Sequence, residues 1–104
     1  MEITKELIHG IEKIFDKGLQ DTYLTRSLGK ILEYELGKTA ANIQALKEDL
    51  SQFESKYKLS SEKFNERFAK GELGDNEDYF EWSALFQMYK RSVERFEILG
   101  GTSN

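Results

Sequence analysis

Residues 32–57 read LEYELGKTAANIQALKEDLSQFESKY, and their spacing decides the fold. Leu32, Thr39, Leu46 and Phe53 recur every seven residues, and Leu36, Ile43, Leu50 and Tyr57 repeat the interval four places on. Seven of these eight positions are apolar or aromatic. Alternating steps of four and three draw one stripe along a helix of 3.6 residues per turn, with charged side chains between. The 104-residue chain has no proline, so nothing in it removes a helical hydrogen bond or crowds the preceding turn.

Working outward, Leu24, Leu28 and Ile31 carry the stripe back towards Asp21, a candidate N-cap. The spacing therefore predicts one long helix over Thr22–Lys58. Before it, Ile3, Leu7, Ile8, Ile11, Ile14 and Phe15 fall at i, i+3, i+4 and i+7. They predict a first helix over Thr4–Lys17, capped by Thr4 and stopped at Gly18. After it, the adjacent Ser60 and Ser61 suit a cap better than a helix interior. A short third helix runs from there to Lys70, with Phe64 and Phe68 on one edge. The loop Gly71-Glu-Leu-Gly-Asp-Asn76 precedes a fourth helix over Glu77–Leu99. Trp82, Phe86, Tyr89, Val93 and Phe96 make an aromatic stripe on that helix, a large-residue match for the leucine-rich one.

The fold class expected is all-α: an elongated, antiparallel bundle of four helices with one long central helix, in a single domain over residues 1–99 and a flexible tail at 100–104. A helix of about 37 residues is roughly 55 Å long, against a radius of gyration near 13 Å for a compact chain of this size. The first and fourth helices would cover opposite ends of its stripe and leave its reverse side open. Tyr23, Tyr34, Gly37, Ala41 and Ala45 lie on that reverse side within about 80° of one another. The last three are small and spaced i, i+4, i+8, which permits close helix approach. They are the candidate interface of a homodimer, whose paired chains would form a bundle.

The net charge is −4 at a sequence pI of about 5.1. Basic and acidic residues number 7 and 9 up to Gln52 and 8 and 10 beyond it, so neither half is a basic arm. That balance argues against a nucleic-acid coat, which needs phosphate neutralisation. Zero cysteines excludes disulfides and thiolate metal sites and suits a reducing compartment. The opening MEITKELIHG has no signal-peptide core and no run is apolar enough for a membrane span. The expected location is the cytoplasm, with no membrane contact.

Chemistry-bearing groups are sparse. His9 is the only histidine and has no carboxylate at triad or metal spacing. Paired carboxylates such as Glu33 with Glu35 lack the Glu-x-x-His motifs of a di-metal bundle. No catalytic residue, metal site or cofactor is expected, and the chain does not read as an enzyme. The densest acidic cluster, Glu72, Asp75, Glu77, Asp78 and Glu81, lies at the start of the fourth helix, where acids complement the helix dipole. The same segment offers a candidate docking site for a protein partner through Asp75, Asp78, Tyr79, Phe80, Glu81 and Trp82, with the aromatics as anchors. Lys13, Lys17, Arg26, Lys30 and Lys38 gather around the turn between the first and second helices and form the alternative, a DNA-binding corner. Interleaved Glu12, Asp16, Asp21, Glu33 and Glu35 favour a solvated corner instead.

Two stretches, EKIFDKGLQDTYLTRSLGKILEYEL at 12–36 and KGELGDNEDYFEWSALFQMYKRSVERFEIL at 70–99, resemble small all-helical prokaryotic antitoxin-like proteins encoded beside toxin genes. The resemblance covers about half the chain, and its most specific element is the Gly-Glu-Leu-Gly-Asp loop leading into Glu81-Trp82. It implies a binding protein that neutralises a partner toxin, with the fourth helix as a contact, and carries over no catalytic residue.

Overall fold

The computed structural model describes residues 2–17 and 22–101. Among them are four helices and no strand: α1 over Glu2–Asp16, α2 over Thr22–Tyr57, α3 over Ser61–Ala69 and α4 over Glu77–Ile98. Each bound falls within two residues of the one the spacing predicts. Because α1 already runs from Glu2, Thr4 lies inside the helix and is not its cap. The expected stops and caps at Gly18 and Asp21, and residues 102–104 of the expected tail, lie outside the described residues.

The chain gathers into two compact units, Met1–Glu33 and Tyr34–Asn104. The second unit is an antiparallel hairpin of α2 and α4 with α3 packed at its closed end. Contacts between the two helices fix the direction. Glu35 meets Arg95, Asn42 meets Ser92, Phe53 meets Trp82 and Tyr57 meets Tyr79, so α4 descends in number as α2 rises.

Its core is the junction of the two sequence stripes. Leu50, Phe64, Trp82 and Phe86 are buried together, with Phe53, Tyr57, Phe68, Tyr79, Leu85 and Tyr89 packed around them. Burying one such side chain contributes roughly 1.5–3 kcal/mol. The Trp82 indole has no exposed surface and lies flat on Phe64, with centroids 3.9 Å apart and planes 6° apart. Phe53 and Tyr57 stack against it as well, at 5.6 and 5.7 Å. Leu46 and Thr39 continue the buried row along α2. No buried side-chain nitrogen or oxygen among the described residues lacks a hydrogen-bond partner.

The turns around α3 follow from local rules. Lys58 adopts φ 54° and the Leu59 N–H donates to the Glu54 carbonyl, which closes α2 in a Schellman motif on a non-glycine residue. Two residues on, the Ser60 hydroxyl accepts from the Lys63 N–H and caps α3. The Glu54 carboxylate accepts from the Ser61 N–H at 2.8 Å, placing a negative charge at the positive end of the same helix. Gly71, at φ 72°, ends α3 with a second Schellman motif, in which Glu72 N–H reaches the Arg67 carbonyl. A third closes α4: Gly100 takes φ 97° and Gly101 N–H donates to the Phe96 carbonyl. A side chain at Gly101 would strike the Phe96 ring, so this part of the expected tail is held against the helix.

The first unit, α1 with the opening turns of α2, packs less completely. Ile11, Leu24 and Leu28 are half-buried. Leu7, Ile8, Ile14 and Phe15 on α1, and Ile31 and Leu32 on α2, are 37–64% exposed. The stripe's N-terminal end, expected to be covered by the first helix, leaves Ile31 and Leu32 exposed. Leu32, the first residue of the opening heptad row, is 42% exposed where Leu46 is 4%.

Candidate functional site

The N-terminal turn of α4 divides into a locked half and an open half. Asn76 caps the helix, its side chain accepting from the Asp78 N–H at 2.9 Å. Asp78 turns back onto α2, where its carboxylate accepts from Lys56 Nζ at 2.6 Å and from the Tyr57 hydroxyl. These two hydrogen bonds, that from Lys56 foremost, hold the Asp78 carboxyl below the usual carboxylate range. The hydrogen bond to Asp78 in turn raises both Lys56 and Tyr57 above their ordinary values.

Trp82 departs from the docking role expected of it. It is the central core residue, and its indole N–H donates to the buried Ser61 hydroxyl at 2.9 Å. No partner can reach it without opening the core. Tyr79 is half-buried, wedged against Tyr57, Phe64 and Phe68. What remains at the surface is Asp75, Phe80 and Glu81. Phe80 is 57% exposed and touches the protein edge-on through Phe68 alone of the other rings, at 5.5 Å. The acidic-aromatic cluster thus presents one ring and two carboxylates, not three rings. The role of Ser61 had no local signal, because its partner lies 21 residues away.

The reverse side of α2 is open as the spacing predicts. Gly37, Ala41 and Ala45 are exposed, and Tyr34 is 68% exposed beneath the Lys38 ammonium, 5.9 Å from its ring centre. Nothing within 4 Å would meet a side chain at Gly37. Tyr23 belongs to the first unit and is 80% exposed there.

Elsewhere the polar groups pair among themselves. Glu35, at the edge of the stripe, accepts from Arg95 at 3.2 Å and lies 3.7 Å from Lys38. A shallow notch of about 460 Å³ between α2 and α4 is lined by Lys38, Thr39, Asn42, Ser92 and Arg95. A second hollow of about 370 Å³ opens beside the N-terminus of α3, over Leu50, Phe86 and Tyr89 with Lys47, Glu54 and Glu62 at its rim. Among the described residues no three or more metal-ligating side chains converge, His9 is exposed, and no helix is long and apolar enough to cross a membrane.

No protein family, curated protein or solved structure compared with this chain matches it. What the chain can bind is set by the surfaces it leaves open.

Proposed function

We propose that this protein acts by binding other protein chains in the cytoplasm, as an antitoxin-like partner that neutralises the product of an adjacent gene. The observation that carries the reading is the contrast between a closed core in Tyr34–Asn104, where four large hydrophobic side chains are exposed, and the much shorter Met1–Glu33, where seven are. Exposed apolar residues gathered in one segment mark a surface that a partner covers. Phe80 with Asp75 and Glu81, and the small-residue side of α2 at Tyr34, Gly37, Ala41 and Ala45, are further surfaces open to contact. The net charge of −4 favours a basic partner and speeds encounter with one.

Co-expression with the neighbouring gene product tests the reading. The expected result is a complex that survives purification and relief of any growth defect the neighbour causes alone. Phe80→Ser with Glu81→Lys should weaken a complex formed at α4, and Leu7→Ser with Ile8→Ser one formed at α1. Absence of both complex and relief would overturn the proposal.

A further inference from the structure

Thr39 breaks an otherwise apolar row. It stands in register with Leu32, Leu46 and Phe53, and it is 5% exposed. A valine would fill the same space with no hydroxyl to take out of water, so packing alone does not call for threonine there. What Thr39 does reach is the notch between α2 and α4, whose other lining residues, Lys38, Asn42, Ser92 and Arg95, surround it. Two hydrogen bonds bridge the helices at this level, from Asn42 Nδ2 to Ser92 Oγ at 3.0 Å and from Arg95 Nη2 to Glu35 Oε2 at 3.2 Å. Thr39 lies one helical turn from Glu35 and one from Asn42, between the two bridges, and neither uses its hydroxyl.

Each helix supplies one cation and one neutral hydrogen-bonding group to the walls, Lys38 and Asn42 from α2 and Arg95 and Ser92 from α4. Among the described residues no acid lines the notch, in contrast to the hollow beside α3 with Glu54 and Glu62 at its rim. Lys38 and Arg95 share a single carboxylate, Glu35, at 3.7 and 3.2 Å. These three charges therefore sum to +1 in a chain whose net charge is −4. The two cationic side chains are 62% and 60% exposed, so an incoming anion can reach them. The guanidinium carries five N–H donors in a planar fork that matches phosphate oxygens, and one bond to Glu35 leaves the others for a ligand. A volume of about 460 Å³ falls within the range of roughly 300–1,000 Å³ that small-molecule sites occupy.

We propose that this notch binds the phosphoryl group of a small phosphate ester. Lys38 and Arg95 neutralise its charge, and Thr39, Asn42 and Ser92 hydrogen-bond to its oxygens or to hydroxyls on the rest of the ester. A doubly charged group with three free oxygens uses both cations and donors from both helices, which one carboxylate cannot do. Glu35 is the built-in competitor: it holds the two cations when the notch is empty and repels the anion that replaces it. Because the cations are exposed, binding is of modest strength and weakens with salt. The site lies wholly within Tyr34–Asn104 and stands apart from the binding of protein chains proposed above.

Nuclear magnetic resonance of the full, nitrogen-labelled chain tests it, with inorganic phosphate and glycerol 3-phosphate titrated in turn at constant ionic strength. The expected result is a saturable shift of the backbone amides of Lys38–Asn42 and Ser92–Arg95, half complete on the order of 1 mM, with the ester bound at least as tightly as the ion. Lys38→Gln and Arg95→Gln should each weaken binding several-fold. Glu35→Gln should tighten it several-fold, because a negative charge beside the anion is gone. Thr39→Val separates binding from packing: its thermal midpoint should equal or exceed the parent's while its affinity falls several-fold. Shifts reproduced by chloride at the same ionic strength, binding unmoved by Arg95→Gln or by Thr39→Val, or weaker binding in Glu35→Gln would overturn the proposal. A phosphoserine peptide bound more tightly than glycerol 3-phosphate would overturn the assignment to a small ester.

Discussion

Two stretches of one uninterrupted helix meet opposite fates. Between Thr39 and Tyr57 the stripe of α2 is sealed by α3 and α4, with Leu46 and Leu50 at 4% and 5% exposure. Between Ile31 and Leu32 the same stripe stands 60% and 42% exposed. The sequence periodicity is the same on both sides of Glu33, so pattern alone does not decide burial. What differs is the size of the opposing side chains and how they are pinned. Facing Leu50 are Trp82 and Phe86, anchored by an indole hydrogen bond and by the Lys56–Asp78–Tyr57 cluster. The α1 face that accompanies the N-terminal turns is aliphatic apart from Phe15, and its side chains remain half in water. A helix of that length gains most of its stability from packing and little from propensity alone.

The contrast can be broken most forcefully at its strong end. Trp82→Ala should destabilise the second unit by about 3–5 kcal/mol, measured by urea denaturation followed by circular dichroism. A loss below about 1 kcal/mol would mean that the stacked rings do not hold the hairpin. Ser61→Ala is the next largest, at about 1–3 kcal/mol, because it strands a buried indole N–H without an acceptor. Equal midpoints for Ser61→Ala and the parent would show that the indole finds another partner. Ser60→Ala removes only the cap of α3 and should cost about 1 kcal/mol.

The Asp78 cluster sharpens the comparison through pH. Its depressed carboxyl contributes stability above the unfolded carboxylate value of about 3.9, and that contribution is lost as pH falls through the lower folded value. The raised values of Lys56 and Tyr57 act in the other direction. Their contribution is full below unfolded values near 10 and is lost as pH rises through the folded ones. Thermal midpoints of the parent should therefore decline on both sides of a plateau between about pH 4 and 10. Asp78→Asn should flatten both declines relative to the parent. The smallest effect belongs to the weak end: Ile8→Gln, at a half-exposed site, should leave the denaturation midpoint of a dilute sample within about 0.5 kcal/mol of the parent.

Much of this architecture is legible in the residues. The four helices follow from period and from the absence of proline, and the cap at Ser60 from residue chemistry. Trp82 illustrates a competition between two signals. Its place in the series Trp82, Phe86, Tyr89 marks it as core, while its acidic neighbours suggest a surface anchor. Period prevailed, because an acid at the first turn of a helix needs no partner beyond the dipole and leaves the next residue free to turn inward. The interior of the candidate site was not legible for a different reason. Asp78 with Lys56, and Ser61 with Trp82, are pairings across more than 20 residues that no local spacing encodes. The open state of α1 was hidden too, since an amphipathic helix looks identical whether its face is covered by its own chain or by another.

The pile of rings around Trp82 gives the protein an optical gauge of its own condition. It holds the only indole in the chain, dry and sandwiched between Phe64 and the rings of Phe53 and Tyr57. Emission from such a fluorophore is blue and shifts to the red when water enters. A ligand that settles on α1 or on Phe80 leaves that colour unchanged, whereas one that pries α4 from α2 alters it at once. Light from a single side chain thus separates recognition at the surface from remodelling of the interior, without a label.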